Sequence, residues 1–89
     1  MKSRATRQFW AAYAALPANV QDQAKKAYEQ FAADPFHPGL RFKRVHDREP
    51  IYSARVTRGY RALGLFENDV VTWFWVGGHD EYERLLRNL

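Results

Sequence analysis

Residues 51–78 read IYSARVTRGYRALGLFENDVVTWFWVGG, which is three apolar runs separated by two short turns. In the first run the side chains alternate between an apolar and a polar face, as in a half-buried strand. The third run is apolar on both faces, which is typical of the central strand of a sheet. Because Arg58-Gly59 and Glu67-Asn68-Asp69 are tight turns, we predict hairpin-linked strands over residues 51–57, 60–66 and 70–76, ended by Gly77-Gly78.

The residues before this sheet carry helical patterns. Phe9, Tyr13 and Leu16 repeat at i, i+4 and i+7, and a second apolar stripe runs through residues 20–31. Pro17 separates the two stripes, which therefore predict an αα-hairpin. The flanking predictions are a short edge strand over residues 2–6, a weak strand over 40–45 and a C-terminal helix over 79–89.

Helices thus come first and hairpin-linked strands second, which predicts an α+β fold. An N-terminal αα-hairpin should pack on a 3–4-stranded antiparallel sheet, followed by a short C-terminal helix. The chain has 89 residues, which suffice for one core, so residues 1–89 are predicted to form a single domain.

Composition excludes several kinds of site. The chain has no cysteine, which rules out disulfides, a thiol nucleophile and cysteine-based zinc sites. The three histidines are far apart in the sequence, so we predict neither a metal site nor a small-molecule cofactor. The segment Met1-Lys2-Ser3-Arg4 lacks the apolar core of a signal peptide, and no apolar run could span a bilayer. A cytoplasmic protein without a membrane partner is expected.

The chain is basic, with 14 Lys and Arg against ten Asp and Glu, a net charge of +4 and a pI of about 9.7. This balance favours an anionic partner: a nucleic acid, an acidic protein or a membrane surface. Charge alone does not choose among them.

Strand alternation predicts where the charge lies. If Tyr52, Ala54 and Val56 face the helices, Arg55 faces away, and Arg61 does the same on the next strand. Further cations would flank these two, namely Arg58 at the hairpin end and Lys43 and Arg44 on the preceding segment. With the ring of Trp73 or Trp75 nearby, the patch suits phosphates and stacked bases. The alternative is that these are ordinary solvated positions and that the tryptophans belong to the core.

The segment Gly77-Gly78-His79-Asp80-Glu81-Tyr82 places a histidine, two acids and a tyrosine at the end of the sheet. Histidine exchanges protons near neutral pH, a phenol can donate to an oxyanion, and Arg61 can neutralise charge on phosphorus. In the structural alternative, His79 caps the helix, the acids serve its dipole and Tyr82 packs. His46, in the loop before residue 51, is either a candidate base or a plain loop residue.

Taken together, these segments resemble the RelE/ParE toxin superfamily. The resemblance rests on Leu16-Pro17, Phe36-His37-Pro38-Gly39-Leu40, residues 51–56, Gly59-Tyr60-Arg61-Ala62 and Gly78-His79-Asp80-Glu81-Tyr82, and covers about residues 7–86. It implies the toxin of a type II toxin–antitoxin pair. RelE-like members cleave mRNA in the ribosomal A site without metal, through attack of the ribose 2′-hydroxyl that leaves a 2′,3′-cyclic phosphate. ParE-like members poison DNA gyrase.

The resemblance also implies roles for single residues. Arg61 falls on the arginine that stabilises the transition state, and Arg55 falls on a strand position that contacts RNA. Ser53 stands where relatives have a second basic residue. His79 and Tyr82 fall near the C-terminal basic and tyrosine positions. The glutamate base of some relatives has no clear equivalent, and only His46, Glu49 and the lysine and arginines around them lie near its position.

Three functions therefore remain open. The first is a ribosome-dependent mRNA endoribonuclease, and the second is a gyrase inhibitor on the same scaffold. The third is a non-catalytic module that binds only an antitoxin and operator DNA. All three imply a cognate antitoxin that is acidic or amphipathic.

Overall fold

The computed structural model describes residues 1–89 and contains a five-stranded sheet in the order β1-β5-β4-β3-β2. The sheet consists of β1 (Lys2–Ala5), β2 (Lys43–Arg44), β3 (Ile51–Thr57), β4 (Tyr60–Glu67) and β5 (Val70–Gly78). Three α-helices accompany it: α1 (Arg7–Ala14), α2 (Ala18–Ala33) and α3 (His79–Arg87), with a short 3₁₀ turn at Pro38–Leu40. The predicted α+β class, αα-hairpin and C-terminal helix are confirmed.

Both predicted hairpins are present. At the β4–β5 turn, Asn68 and Asp69 have φ angles of 52° and 63°. Two consecutive positive φ angles define the type I′ geometry whose twist matches that of paired strands, and Asn and Asp tolerate it. At the β3–β4 turn, Arg58 and Gly59 lie between the paired residues Thr57 and Tyr60.

The sheet is mixed rather than purely antiparallel, and it has five strands where three or four were predicted. The N-terminal strand is at an edge, as expected, but it pairs in parallel with β5, with Lys2 opposite Val70 and Ala5 opposite Trp73. β5 was predicted to be a central strand because it is apolar on both faces, and both of its edges are indeed hydrogen-bonded to another strand. β4 supplies one neighbour and β1 supplies the other.

Gly77 and Gly78 were predicted to end β5, yet they continue it. They pair with Arg61 and Tyr60 of β4. A Cβ on Gly77 would stand 2.5 Å from Cζ2 of Trp75, so the indole ring lies over this position. The ring of Trp75 fills the space that a side chain at position 77 would need, so glycine is required here although the strand pairing continues through it.

The two faces of the sheet carry different helices. α1 packs against β5 and α2 against β3 on one face, called here the helical face, where the larger core includes Phe31, Ala54 and Trp73. On the second face α3 lays Tyr82 on Ile51 and Leu63. No helix of the chain has the length and apolar character needed to cross a bilayer.

A register shift lies between Leu63 and Gly64 where β4 meets β5. A Cβ on Gly64 would stand 2.9 Å from atoms of both Trp73 and Val71. Glycine is required at this point because the backbone of β4 touches two core side chains of β5.

We therefore expect Gly64→Ala to lower the free energy of unfolding by about 1–3 kcal/mol, through overpacking against Trp73 and Val71. The matched control is Gly59→Ala, since a Cβ on Gly59 meets no atom within 4 Å and its φ is not positive. That variant should stay within about 0.5 kcal/mol of the wild type. Urea denaturation of both variants measures the difference, and equal stabilities would contradict this account of the core.

Candidate nucleic-acid interface

Arg55 and Arg61 lie directly opposite each other on β3 and β4. Their neighbours Ala54 and Ala62, also paired, belong to the core under the helices. Because side chains alternate along a strand, both arginines project from the second face, as predicted. Both are half-buried. Like charges at directly opposite positions are unfavourable in a sheet, and an anion close to both side chains would compensate for this.

No carboxylate within the chain supplies that compensation. The two ion pairs of the structure join the N-terminal amino group to Asp69 and His79 to Glu83. Neither involves a lysine or arginine side chain, so all 14 of these cations lack an acidic partner within 4 Å. Positive charge on the second face is thus available to an external anion.

Lys43 extends the arginine pair toward the sheet edge. It is paired with Ser53 on the second face, a diagonal neighbour of Arg55 at roughly 7–8 Å. We call Lys43, Arg55 and Arg61 the cationic cluster. Arg44 does not join it, contrary to the prediction, because it pairs with Tyr52, which faces the helices. Its Nε donates instead to the carbonyl of His46 at 3.0 Å.

The β3–β4 turn holds the guanidinium of Arg61. Its Nη1 donates to the carbonyls of Thr57 at 2.7 Å, Tyr60 at 3.0 Å and Arg58 at 3.3 Å. These bonds use one of the three nitrogens, so Nη2 and Nε stay free for an anion. The hydroxyl of Thr57 accepts from the amide of Gly59 at 3.2 Å and closes the same turn. Arg58 is exposed at the turn, beside the cluster.

The same turn also positions His79. The backbone N–H of His79 donates to the carbonyl of Gly59 at 2.9 Å, which fixes the start of α3 beside the turn. Its imidazole Nε2 lies 3.3 Å from Oε1 of Glu83, and both side chains are about half exposed. The structure therefore brings Arg61 and His79 to one turn. Glu83 was not predicted as part of the site, although its i, i+4 spacing from His79 is the signal for such a pair.

Tyr82 serves packing with its ring and reaches the surface with its hydroxyl. The residue is 8% exposed and packs on Ile51 and Leu63. Its ring centroid is 6.0 Å from that of His79. Trp73 Nε1 is the sole fully buried polar side-chain atom without a hydrogen-bond partner. The hydroxyl of Tyr82 also forms no hydrogen bond within the chain, so it cannot be fully buried.

The two candidate tryptophans have separate places. Trp73 is 5% exposed in the core under the helices. Trp75 packs on the second face, and its ring lies over Gly77, which pairs with Arg61. An aromatic surface thus lies beside the cationic cluster, which is the combination that binds single-stranded nucleic acid.

His46 is not part of this group. Its Nδ1 accepts from the amides of Arg48 at 3.2 Å and Glu49 at 2.9 Å, so Nε2 carries the hydrogen and faces the carbonyl of Leu89 at 3.1 Å. Leu89 follows the C-terminal end of α3, whereas His79 begins that helix, and the nine residues of α3 span about 13 Å. His46 therefore shapes its own loop at the opposite end of α3.

Comparison with known structures agrees with the fold. The RelE–RelB antitoxin–toxin complex of Methanococcus jannaschii matches with a TM-score of 0.74 at 13% identity, covering 91% of this chain and 95% of that chain. YafQ of E. coli gives 0.73 at 8% identity, with 91% and 96% covered. The isolated E. coli RelE toxin gives 0.66 at 19% identity, with 99% and 98% covered. No curated protein sequence matches significantly.

A family model gives the assignment. The model of the ParE-like toxin domain matches residues 18–84, which include α2, the cationic cluster, His79 and Tyr82. This range is about three quarters of the chain. The chain therefore belongs to the family of ParE-like toxin domains, within the RelE/ParE toxin superfamily.

Proposed function

We propose that this toxin is a ribosome-dependent mRNA endoribonuclease that acts without a metal ion. The observation that carries the proposal is the pair of opposed arginines with no carboxylate partner, of which Arg61 is held by the same turn as His79. A scissile phosphate between these groups would relieve the repulsion between the arginines. It would also lie within reach of a group that transfers protons near neutral pH.

In the proposed reaction, the ribose 2′-oxygen attacks the neighbouring phosphorus and the bond from phosphorus to the 5′-oxygen breaks. The products are a 2′,3′-cyclic phosphate and a 5′-hydroxyl. The free nitrogens of Arg61 stabilise the charge on the phosphoryl oxygens, and Arg55 and Lys43 hold flanking phosphates. His79 accepts the 2′-hydroxyl proton, and Glu83 orients its imidazole. The leaving 5′-oxygen takes up a proton from water.

Two more groups complete the proposed site. The surface-reaching hydroxyl of Tyr82 donates to a phosphate oxygen, and Trp75 offers its face to a base. Arg58 contacts the RNA backbone from the turn. The substrate is proposed to be mRNA in the ribosomal A site, as the resemblance to RelE-like toxins implies. The partner is a cognate antitoxin, a class of protein present in the M. jannaschii complex that shares this fold.

One observation favours a second candidate function. The family model that matches is ParE-like, and the resemblance assigns gyrase inhibition to ParE-like members. Under this alternative the cationic cluster binds the gyrase–DNA complex and no RNA bond is broken. Gyrase inhibition needs no proton transfer, so His79 would then be dispensable.

The first test concerns cleavage. Arg55→Ala and Arg61→Ala should each reduce cutting of a translated message by about 10²–10³-fold, because each removes a cation from the developing phosphoryl charge. Arg7→Ala is the matched control, since Arg7 is exposed on α1 on the other side of the sheet. Primer extension in a purified translation system gives the rates, and circular dichroism confirms folding.

Assays of the wild-type protein on a translated message and on purified gyrase separate the two candidate functions. Wild-type protein that leaves the message intact but blocks DNA supercoiling by purified gyrase would overturn the nuclease and select the gyrase inhibitor.

RNA binding should also depend on salt through the cationic cluster. For single-stranded RNA the slope of log K against log salt concentration changes by about 0.7 for each phosphate contact. We expect Arg55→Ala to flatten the slope by that amount, while Arg7→Ala leaves it unchanged. Fluorescence anisotropy with a labelled oligonucleotide measures both. Equal flattening in the two variants would mean that binding follows net charge and not this cluster.

The proton-transfer group has its own test. His79→Ala should lower the cleavage rate by about 10²–10⁴-fold, and Tyr82→Phe, which keeps the ring, by up to about tenfold. Glu81→Gln is the control, since Glu81 is an exposed acid on α3 whose side chain forms no hydrogen bond or ion pair within the chain. Single-turnover rates at saturating protein provide the comparison. Wild-type rates in His79→Ala would remove His79 from the mechanism.

A further inference from the structure

All four carbonyl groups of the β3–β4 turn accept hydrogen bonds from groups of the proposed site. Three of them, from residues 57, 58 and 60, converge on Nη1 of Arg61 at 2.7, 3.3 and 3.0 Å. The fourth carbonyl, that of Gly59, accepts from the backbone N–H of His79 at 2.9 Å. The shape of this turn therefore decides where both the guanidinium of Arg61 and the start of α3 lie.

The turn does not have the backbone geometry that favours a two-residue hairpin connection by itself. The preferred types I′ and II′ need a positive φ angle at one or both central residues, and neither Arg58 nor Gly59 has one. A Cβ on Gly59 would meet no atom within 4 Å, so close packing does not require glycine there either. The β3–β4 turn thus depends on contacts beyond the conformational preference of its own backbone.

The hydroxyl of Thr57 supplies such a contact. Its Oγ1 accepts from the N–H of Gly59 at 3.2 Å, a side-chain hydrogen bond that takes the place of a backbone turn bond. The strand pairing is also irregular directly before the turn, with a register shift between Arg55 and Thr57. The hydroxyl therefore links two residues with different tasks. The carbonyl of Thr57 holds Arg61, and the carbonyl of Gly59 holds the start of α3.

The first turn of α3 lacks a side-chain cap. The first N–H groups of a helix have no partner within the helix, and a capping side chain commonly satisfies one of them. Gly78, the residue before α3, has no side chain to do so. The bond from the N–H of His79 to the carbonyl of Gly59 takes the place of this cap. Movement of Gly59 would therefore move His79 as well.

We propose that Thr57 is a positioning residue, whose hydroxyl holds the β3–β4 turn in the shape that places Arg61 and His79 for the reaction. The assignment rests on the proposed function, since it concerns the geometry of that reaction. Thr57 acts through these two residues and does not touch the substrate. Other cations share in holding the RNA, so loss of the hydroxyl should lower kcat and leave KM nearly unchanged.

Two threonine hydroxyls that make the same kind of bond allow a matched comparison. Thr57→Val keeps the branched shape of the side chain and removes the hydroxyl, and it should lower kcat for cleavage of a translated message by roughly ten- to a hundredfold. Thr57→Ser keeps the hydroxyl and should restore kcat. Thr6→Val is the control, because Oγ1 of Thr6 accepts from the N–H of Phe9 at 3.1 Å and caps α1, far along the chain from the turn. It should leave kcat at the wild-type value.

A second measurement reads the turn without relying on catalysis. In ¹⁵N-labelled full-length protein, Thr57→Val should speed hydrogen exchange at the amide of His79 by about two- to tenfold, as expected when local opening breaks one hydrogen bond fewer. The Nε–H signal of Arg61 should also shift, because the guanidinium loses the fixed carbonyls. Thr6→Val should leave the exchange rate at His79 and the Arg61 signal unchanged.

The outcomes separate the positioning role from the proposed function. Wild-type kcat and wild-type exchange at His79 in Thr57→Val would overturn the positioning role and leave the proposed function intact. An equal loss of kcat in Thr57→Val and Thr6→Val would also overturn it, because the loss would then follow stability. Wild-type protein that does not cut the message would overturn the proposed function. Unchanged exchange at His79 in Thr57→Val would then show in addition that the hydroxyl does not hold the turn.

Discussion

The pairing of β3 with β4 places Arg55 and Arg61 at directly opposite positions on one face of the sheet. Ala54 and Ala62 are opposed beneath the helices, and this buried contact fixes the register of the two strands. A slip of one residue would send the alanines to solvent and the arginines into the core, which the fold cannot tolerate. Core packing on the helical face thus places Arg55 and Arg61 opposite each other on the second face.

The short turn between β3 and β4 brings His79 next to Arg61. The carbonyls of residues 57–60 receive one nitrogen of Arg61 and the backbone N–H of His79. The guanidinium of Arg61 and the backbone of His79 are therefore both held by main-chain carbonyls of one turn. Neither Arg55 nor Arg61 has an acidic partner in the chain, so an anion bound on this face would meet two unpaired cations.

The periodicity of the sequence predicted a large part of this arrangement. It failed for features that depend on contacts with other parts of the fold. Alternation along residues 51–66 was sufficient to place Arg55 and Arg61 on one open face. It could not show that Arg44 turns to the other face, since a strand of two residues has no period to read. Gly77 and Gly78 resembled a strand end, because the sequence does not show that the ring of Trp75 occupies the space beside Gly77. The parallel pairing of β1 and the distance of His46 from His79 also depend on contacts between segments far apart in sequence.

Trp73 and Trp75 show how two similar residues acquire separate roles. They are two positions apart, which on a regular strand would put them on the same face. The register shift opposite Leu63 and Gly64 adds one residue to β5, and this separates them. Trp73 turns under the helices, and Trp75 packs on the second face, beside the arginines. A single irregularity in the sheet therefore allows one strand to supply a tryptophan to the core on one face and another to the neighbourhood of the cationic cluster on the other face.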